Sequence, residues 1–357
     1  MDERRITALF ARLPSLTAQD VRAAFARAGD LTGAAELIRA SHPARAAEEA
    51  LLDADLRWLE ASGAAALLCT SALYPAQLAG TAEAPPVLYV LGDVGALATP
   101  QVAVVGSRRA TPAGLATAHE MAVALVRAGL TVASGLAVGI DAACHEGALE
   151  AGGTTLAVCA HGLELIYPRR HRSLAQRIRE SGALVSRFSP GTPPARWRFP
   201  ARGRMLSGLA LATLVVEAAR TSGSLHTAHA ALRQGRPVYA VPGSIRSSVS
   251  AGCHALIKSG AQIAESPTDV LRGLDIYLKN QSPMNTTRVE LRSGAAGAPL
   301  DKASEILLDA LGFEPVSLNT LVERTGLSSS GIASLLLALE LAGRVAPQPG
   351  GRYSRLS

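Results

Sequence analysis

Beginning at Gln101, the chain repeats one unit: a short run that is apolar on nearly every residue, then a stretch with helical spacing. The runs are QVAVVGS, LTVASG, TTLAVCAH, ALVSRF, ATLVVEA and PVYAVPG, and stretches such as GLATAHEMAVALVRAG and AALRQG lie between them. A strand that alternates apolar and polar residues buries one face, whereas a strand apolar throughout buries both. Strands of the second kind, separated by helices, make a parallel sheet with helices above and below it. The fold class expected is α/β, an extended, doubly wound Rossmann-like core.

The flanks differ in kind. Residues 1–65 are rich in Ala, Leu, Arg and Glu at helical spacing, and Thr17-Ala18-Gln19-Asp20 and Thr32-Gly33 stand before apolar runs as helix starts do. A small helical domain is expected there. Residues 66–278 are expected to form the core, which opens on a looser segment with one further strand, PVLYVLG. Residues 279–300, KNQSPMNTTRVELRSGAAGAPL, are small, polar and broken by Pro and Gly, as linkers are. Residues 301–357 read as three helices and a short hairpin, the order of a winged helix.

Composition excludes several classes. No run of 18 uncharged apolar residues occurs, so no membrane span is expected. The first residues, MDERRITALF, lack the long apolar stretch of a secretion signal. Cys69, Cys144, Cys159 and Cys253 are far apart with no CxxC pair, which suits reduced thiols in a cytoplasmic protein. The net charge of +6 gathers in the middle, where residues 96–275 hold 19 Lys and Arg against 10 Asp and Glu. Between 169 and 204 stand ten arginines and a single acid, Glu180. A one-signed run of that density favours an anionic partner over a merely solvated face.

The turn after the first run, VAVVGSRRAT, places Gly106, Ser107, Arg108 and Arg109 where a strand meets a helix. Such a turn aims backbone N–H groups at an anion, so a phosphate is the natural ligand. A nicotinamide or flavin fingerprint would need a second glycine two residues on and an acid closing the next strand. Here Ser-Arg-Arg follows Gly106, and the next strand ends in Ser134-Gly135. No GxxxxGK[ST] segment occurs either, so neither a dinucleotide nor ATP is expected, and no cofactor is assigned.

Catalytic candidates are weaker. Asp141 and His145 stand four apart in GIDAACHEGAL, which would let them pair on one helix face near Ser134. The plainer reading is a carboxylate capping a helix above a packed histidine. His226 and His229 are spaced to share a metal, but no third ligand accompanies them, and no metal is expected.

The segment RFSPGTPPARWRFPARGR interleaves Phe188, Trp197 and Phe199 with Arg187, Arg196, Arg198, Arg202 and Arg204. Single-stranded nucleic acid is held in this way, with guanidiniums on phosphates and rings against bases. Tyr167-Pro168-Arg169-Arg170-His171-Arg172 supplies a second basic cluster just after a strand end. The helix expected to read DNA in a winged helix, Ser328 to Ala342, has Glu340 and no Lys or Arg. Major-groove readers insert basic and amide groups, so this tail suits a protein contact, or at most a weak double-stranded DNA contact.

Taken together, VAVVGSRRAT, SGLAVGIDAACHEGAL, TLAVCAHGLELIYP, FPARGRMLSGLALATLVVEAARTSGSLHTAHAALRQGRPVYAVPG and AGCHALIKSGA resemble the DprA/Smf family of DNA-processing proteins. The resemblance covers most of residues 74–275. It implies a SAM-like N-terminal domain, an extended Rossmann core and a winged helix. It further implies an ATP-independent protein that binds single-stranded DNA, protects it in natural transformation and loads the RecA recombinase, working as a homodimer through the core. Carried over by motif, Gly106, Ser107, Arg108 and Arg109 contact the DNA backbone, with Tyr167, Arg169, Arg170 and Arg172 as a second wall. This sequence departs from the family at Arg187, where an acid is usual, at Arg202-Gly203-Arg204 in place of Arg-Asn-Arg, and at His254 in place of an asparagine. These changes imply a more basic groove. The alternative is an enzyme of the LOG phosphoribohydrolase group, whose fold is of the same type. Its PGGxGTxxE loop corresponds to SGSLHTAHA, where His229 and Ala230 stand in place of the acids.

Overall fold

The computed structural model describes residues 2–44, 46–281, 302–312, 315–341 and 344–356. Nine strands form the central sheet: β1 (Ala65–Leu68), β2 (Val87–Gly92), β3 (Gln101–Val105), β4 (Thr131–Ser134), β5 (Thr155–Cys159), β6 (Ala183–Ser186), β7 (Ala212–Val215), β8 (Val238–Ala240) and β9 (Gln262–Ile263). Their order across the sheet is β1-β2-β6-β5-β4-β3-β7-β8-β9. From β6 to β9 all neighbours are parallel, as the apolar runs predict. At the other end, β1 and β2 are antiparallel additions. The link from β2 to β3 holds only a 3₁₀ turn, Val94–Ala98, and no crossover helix of the kind that joins parallel strands.

Residues of β3 divide between two cores because successive side chains in a strand face opposite ways. Val102 and Val104 pack with Met121 and Leu125 of the helix Pro112–Arg127. Ala103 and Val105 belong to the apolar cluster on the other face, which is continuous with Ile6, Leu9 and Phe10 of the helix Glu3–Arg12. The N-terminal helices therefore share a core with the sheet. Arg12 strengthens that junction, since it pairs with the buried Asp55 at 2.5 Å and donates to the Pro190 carbonyl at 2.9 Å.

Thr17 and Asp20 form a reciprocal capping box at the helix Ala18–Ala28. The next helix, Leu31–Ser41, starts one residue earlier than Thr32: Asp30 caps it, its carboxylate accepting from the Gly33 N–H at 2.7 Å. The final core helix, Pro267–Gln281, runs three residues into the stretch expected to be linker, and the rest of that stretch lies outside the described residues. In the C-terminal part the helices Lys302–Leu311, Leu318–Thr325 and Ser329–Leu341 and the hairpin Val345–Gln348/Arg352–Arg355 enclose their own core of Leu307, Leu311, Leu321, Ile332, Leu336 and Val345. A short strand before the second helix, Val316–Ser317, joins the hairpin and completes the winged helix.

Candidate nucleic-acid interface

In a doubly wound sheet, ligands bind beyond the strand carboxyl ends where the winding reverses. Here the order runs outward from β3 toward β6 on one side and from β7 toward β9 on the other, so the reversal lies between β3 and β7. A crevice of about 1090 Å³ opens at that point. The turn after β3 supplies Gly106, Ser107, Arg108 and Arg109, and the turn after β7 supplies Thr221, Ser222, Gly223 and Ser224. Tyr167, Arg196 and Phe199 close the side, with Arg202, Asp141 and Thr227, each less than a tenth exposed, at the floor.

The first turn is tightly fixed. Ser107 Oγ accepts from the Arg109 N–H at 3.0 Å, and the Ser107 carbonyl accepts from Ile140 N at 3.2 Å. A Cβ on Gly106 would stand 2.6 Å from Ile140 Cγ1, so close packing demands this glycine, not a ligand's approach. Gly139, at φ 82°, is demanded twice, by its left-handed backbone and by the Ser107 carbonyl lying where a Cβ would be. Nor does the following helix offer its N-terminus to a phosphate. Glu217, just past β7, accepts from Thr111 Oγ1 at 2.6 Å and from Thr111 N at 2.9 Å, so an internal carboxylate already occupies that position. Burial raises the Glu217 pKa, which the two Thr111 bonds oppose. Of the residues in this turn, Arg108 and Arg109 are the two whose side chains are exposed.

Aromatic rings and guanidiniums interleave in space as they do in sequence. The Arg108 guanidinium lies 4.9 Å from the centroid of the Phe199 ring, with Arg202 at 5.9 Å, and Phe199 meets Tyr167 at 6.2 Å between centroids. Tyr167 and Arg196 are exposed at the rim.

Other expected members lie elsewhere. Arg169, Arg170 and Arg172 follow Tyr167 in an exposed turn, outside the crevice lining but tied to it where His171 Nδ1 meets the Leu136 carbonyl at 2.9 Å. Arg198 packs over Trp197 at 4.4 Å and Phe188 at 5.7 Å and donates to the Pro193 carbonyl, so it braces the loop. Phe188 is half-buried and does not line the crevice. Arg204 pairs with Glu83 at 2.9 Å, on a side of the core away from the crevice lining, and the same carboxylate supports the half-buried Arg187. Of the family departures, Arg187 thus stands within the influence of Glu83, the acid that Arg204 pairs with, and Gly203 stands against Thr227, whose Oγ1 lies 2.6 Å from where a Cβ would be. His254, the third departure, contacts the Gly243 carbonyl at 3.0 Å.

Arg202 is 7% exposed and stands 3.8 Å from Asp141, which is 5% exposed. Its guanidinium lies flush on Gly135, where any Cβ would collide with it. Burial raises the Asp141 pKa, with Arg202, the Ala137 N–H and Arg108 opposing. The acid-histidine pair is not formed. Both residues are on the helix Ile140–Glu150, but His145 is fully buried, its Nδ1 is 2.7 Å from Thr155 Oγ1, and burial takes its pKa down to about 3. Ser134 donates to the Val104 carbonyl instead. Among the described residues, no three of His, Cys, Asp and Glu are grouped to hold a metal. His226 lines the crevice without His229.

Sequence reasoning missed Thr221-Ser222-Gly223-Ser224, Thr227, Ser248 and Val249. The TSGS turn resembles a phosphate turn, yet only the strand order, with β7 beside β3, gives it that place.

A doubly wound sheet with a crevice at its reversal, extended by a helical N-terminus and a winged helix, defines a multidomain Rossmann-type protein. The family model for DNA recombination-mediator protein A matches residues 65–275, and that for the DprA winged helix domain matches residues 292–351. The chain belongs to this family. Protein Smf of Escherichia coli is 40% identical over 308 residues, covering 85% of this chain and 81% of that one. DNA processing protein DprA of Streptococcus pneumoniae is 41% identical over 198 residues, 56% of this chain and 70% of that one. The X-ray structure of the pneumococcal protein superimposes with a TM-score of 0.64 at 32% identity, covering 76% of this chain and 98% of that chain. DNA processing protein A of Helicobacter pylori, whose structure was described for its single-stranded DNA binding mode, gives 0.52 at 26% identity, covering 61% and 96%.

Proposed function

We propose that this protein binds single-stranded DNA in the crevice between β3 and β7, without catalysis or a cofactor. One observation carries the reading: three exposed arginines, Arg108, Arg109 and Arg196, line the same crevice as the Phe199–Tyr167 ring pair at the sheet's reversal. Charges on phosphates and rings on bases are what a strand requires, and neither depends on its sequence. The single-stranded DNA binding attributed to the Helicobacter pylori relative supports the same ligand. The LOG-type alternative loses its support where His145 is fully buried against Thr155 and Asp141 is buried beside Arg202, which leaves the histidine no access to a substrate and holds a cation against the carboxylate.

In the wider reading, the protein protects incoming strands during natural transformation, passes them to RecA, acts in the cytoplasm and dimerises through its Rossmann core. The winged helix serves protein contact, because the helix Ser329–Leu341 has no Lys or Arg to place in a groove. Among the described residues no helix is long and apolar enough to cross a membrane. Fluorescence anisotropy of labelled oligo-dT and of a duplex of equal length, each at two salt concentrations, tests the proposal. Tighter binding of the single strand with a steep salt dependence is expected. Equal affinity for the duplex refutes it, as does release of free base from AMP-type nucleotides that an Asp141→Ala variant abolishes.

A further inference from the structure

The floor of the crevice has a group that single-strand binding at the rim leaves unexplained. Arg202 has five N–H donors, yet among the described residues its guanidinium makes no hydrogen bond, and its Nε is buried without a partner. Asp141, at 3.8 Å, offers charge but lies beyond hydrogen-bonding distance. A buried guanidinium with its donors unspent is costly unless a ligand takes them, and the planar fork suits the oxygens of a phosphate. Arg108 stands close enough to influence both members of the pair, so the cluster of two arginines and one carboxylate keeps a net positive charge.

The opposite wall agrees. The helix Ser224–Arg233 begins there from Gly223, which has no side chain to cap it; its Ser224 N–H is met by the Ser222 hydroxyl at a long 3.4 Å and by no carboxylate, in contrast to the neighbouring helix that Glu217 and Thr111 close. Its positive end, the Ser222 and Ser224 hydroxyls and Thr227 line the same space as Arg202.

Depth decides which phosphate fits. Arg202, Asp141 and Thr227 are each less than a tenth exposed, whereas Arg108, Arg109 and Arg196 stand open at the rim. An internal phosphodiester carries chain on both sides and needs an open channel through its site. A sunken site admits a chain end. The crevice volume of about 1090 Å³ is ample for a terminal nucleotide, since small-ligand pockets enclose roughly 300–1000 Å³.

We infer that the floor of the crevice, formed by Arg202 and the start of the helix Ser224–Arg233, is a phosphate-monoester subsite that takes the terminal phosphate of a DNA strand. This rests on the single-strand reading above and makes the protein an end binder as well as a strand binder. The test uses hexameric oligo-dT in three forms: 5′-phosphorylated, 3′-phosphorylated, and hydroxyl at both ends. One phosphorylated form is expected to bind about tenfold more tightly than the hydroxyl form, equivalent to about 1.4 kcal/mol. The two phosphorylated arms identify which end is received. Arg202→Lys keeps the charge beside Asp141 but loses the fork, and is expected to bring the phosphorylated and hydroxyl forms to equal affinity. A readout needing no variant is the ³¹P titration of the bound terminal phosphate, whose second pKa near 6 should fall on binding. Equal affinities for all three forms, or an unmoved ³¹P titration, overturns the inference while leaving strand binding intact. If no form binds, the single-strand reading itself fails.

Discussion

Three arginines that the sequence presents alike should behave differently when changed to alanine. Arg109 is exposed, lines the crevice and, among the described residues, makes no ring contact, so Arg109→Ala removes a phosphate charge alone. Each such contact contributes roughly 0.7 to the log-log salt slope on single strands, which at 0.1 M salt amounts to about fivefold in affinity. Arg108→Ala removes the same charge and also the guanidinium 4.9 Å from the Phe199 ring. That contact is internal to the protein and holds the ring in place for a base, so the loss should be at least that of Arg109→Ala, about fivefold or more. Arg204 is committed to Glu83 at 2.9 Å and lies outside the crevice lining, so Arg204→Ala should change affinity less than about twofold. Anisotropy of fluorescein-labelled oligo-dT across 50–200 mM salt measures all three, and the two crevice variants should each flatten the slope by about 0.7. An Arg204→Ala loss as large as that of Arg108→Ala, or an unchanged slope for Arg108→Ala and Arg109→Ala, refutes the placement of the strand.

Further outcomes follow from the same geometry. His145 stays neutral in the fold down to about pH 3, whereas in the unfolded chain it protonates near 6.5. Its contribution to stability is therefore lost as pH falls from about 6.5 toward 3; urea unfolding at pH 7 and pH 5 should show His145→Asn losing about 2 kcal/mol less than the parent over that interval. Glu217→Ala removes two hydrogen bonds from Thr111, one to its backbone N–H and one to its hydroxyl, and should lower stability by about 2–4 kcal/mol. A change below 1 kcal/mol in thermal or urea unfolding means that Glu217 does not hold that helix end. Deleting residues 280–357 should leave single-strand affinity within about tenfold, because the crevice belongs wholly to the core; a larger loss assigns the winged helix a direct grip on the strand.

What the sequence makes legible here is local. Runs such as QVAVV and TLAVC identify buried parallel strands because side-chain pattern and burial are linked residue by residue. Trp197 and Phe199 likewise stand out as rings among arginines, and Phe199 does reach the crevice. Strand order is not local, so the place of Ser222-Gly223-Ser224 opposite Arg108 could not be read. Ion pairing is not local either. Glu83 precedes Arg204 by more than a hundred residues and Asp141 precedes Arg202 by about sixty, so a run of like charges gave no sign that Arg204 and Arg202 each face an acid. Ala65–Leu68, a small apolar run just after a helix, carries too little β-branched character to announce an edge strand.

Occupancy of the crevice by the strand is the central claim, and the buried cysteines make it directly measurable. All four native thiols are buried, so a Thr221→Cys variant presents one exposed thiol on the crevice wall. Its maleimide labelling rate should drop at least tenfold with saturating oligo-dT, and the labelled protein should no longer bind the strand. Labelling at the same rate with and without DNA, as expected of an Arg233→Cys control at the far end of the helix Ser224–Arg233 and outside the crevice lining, would contradict the account.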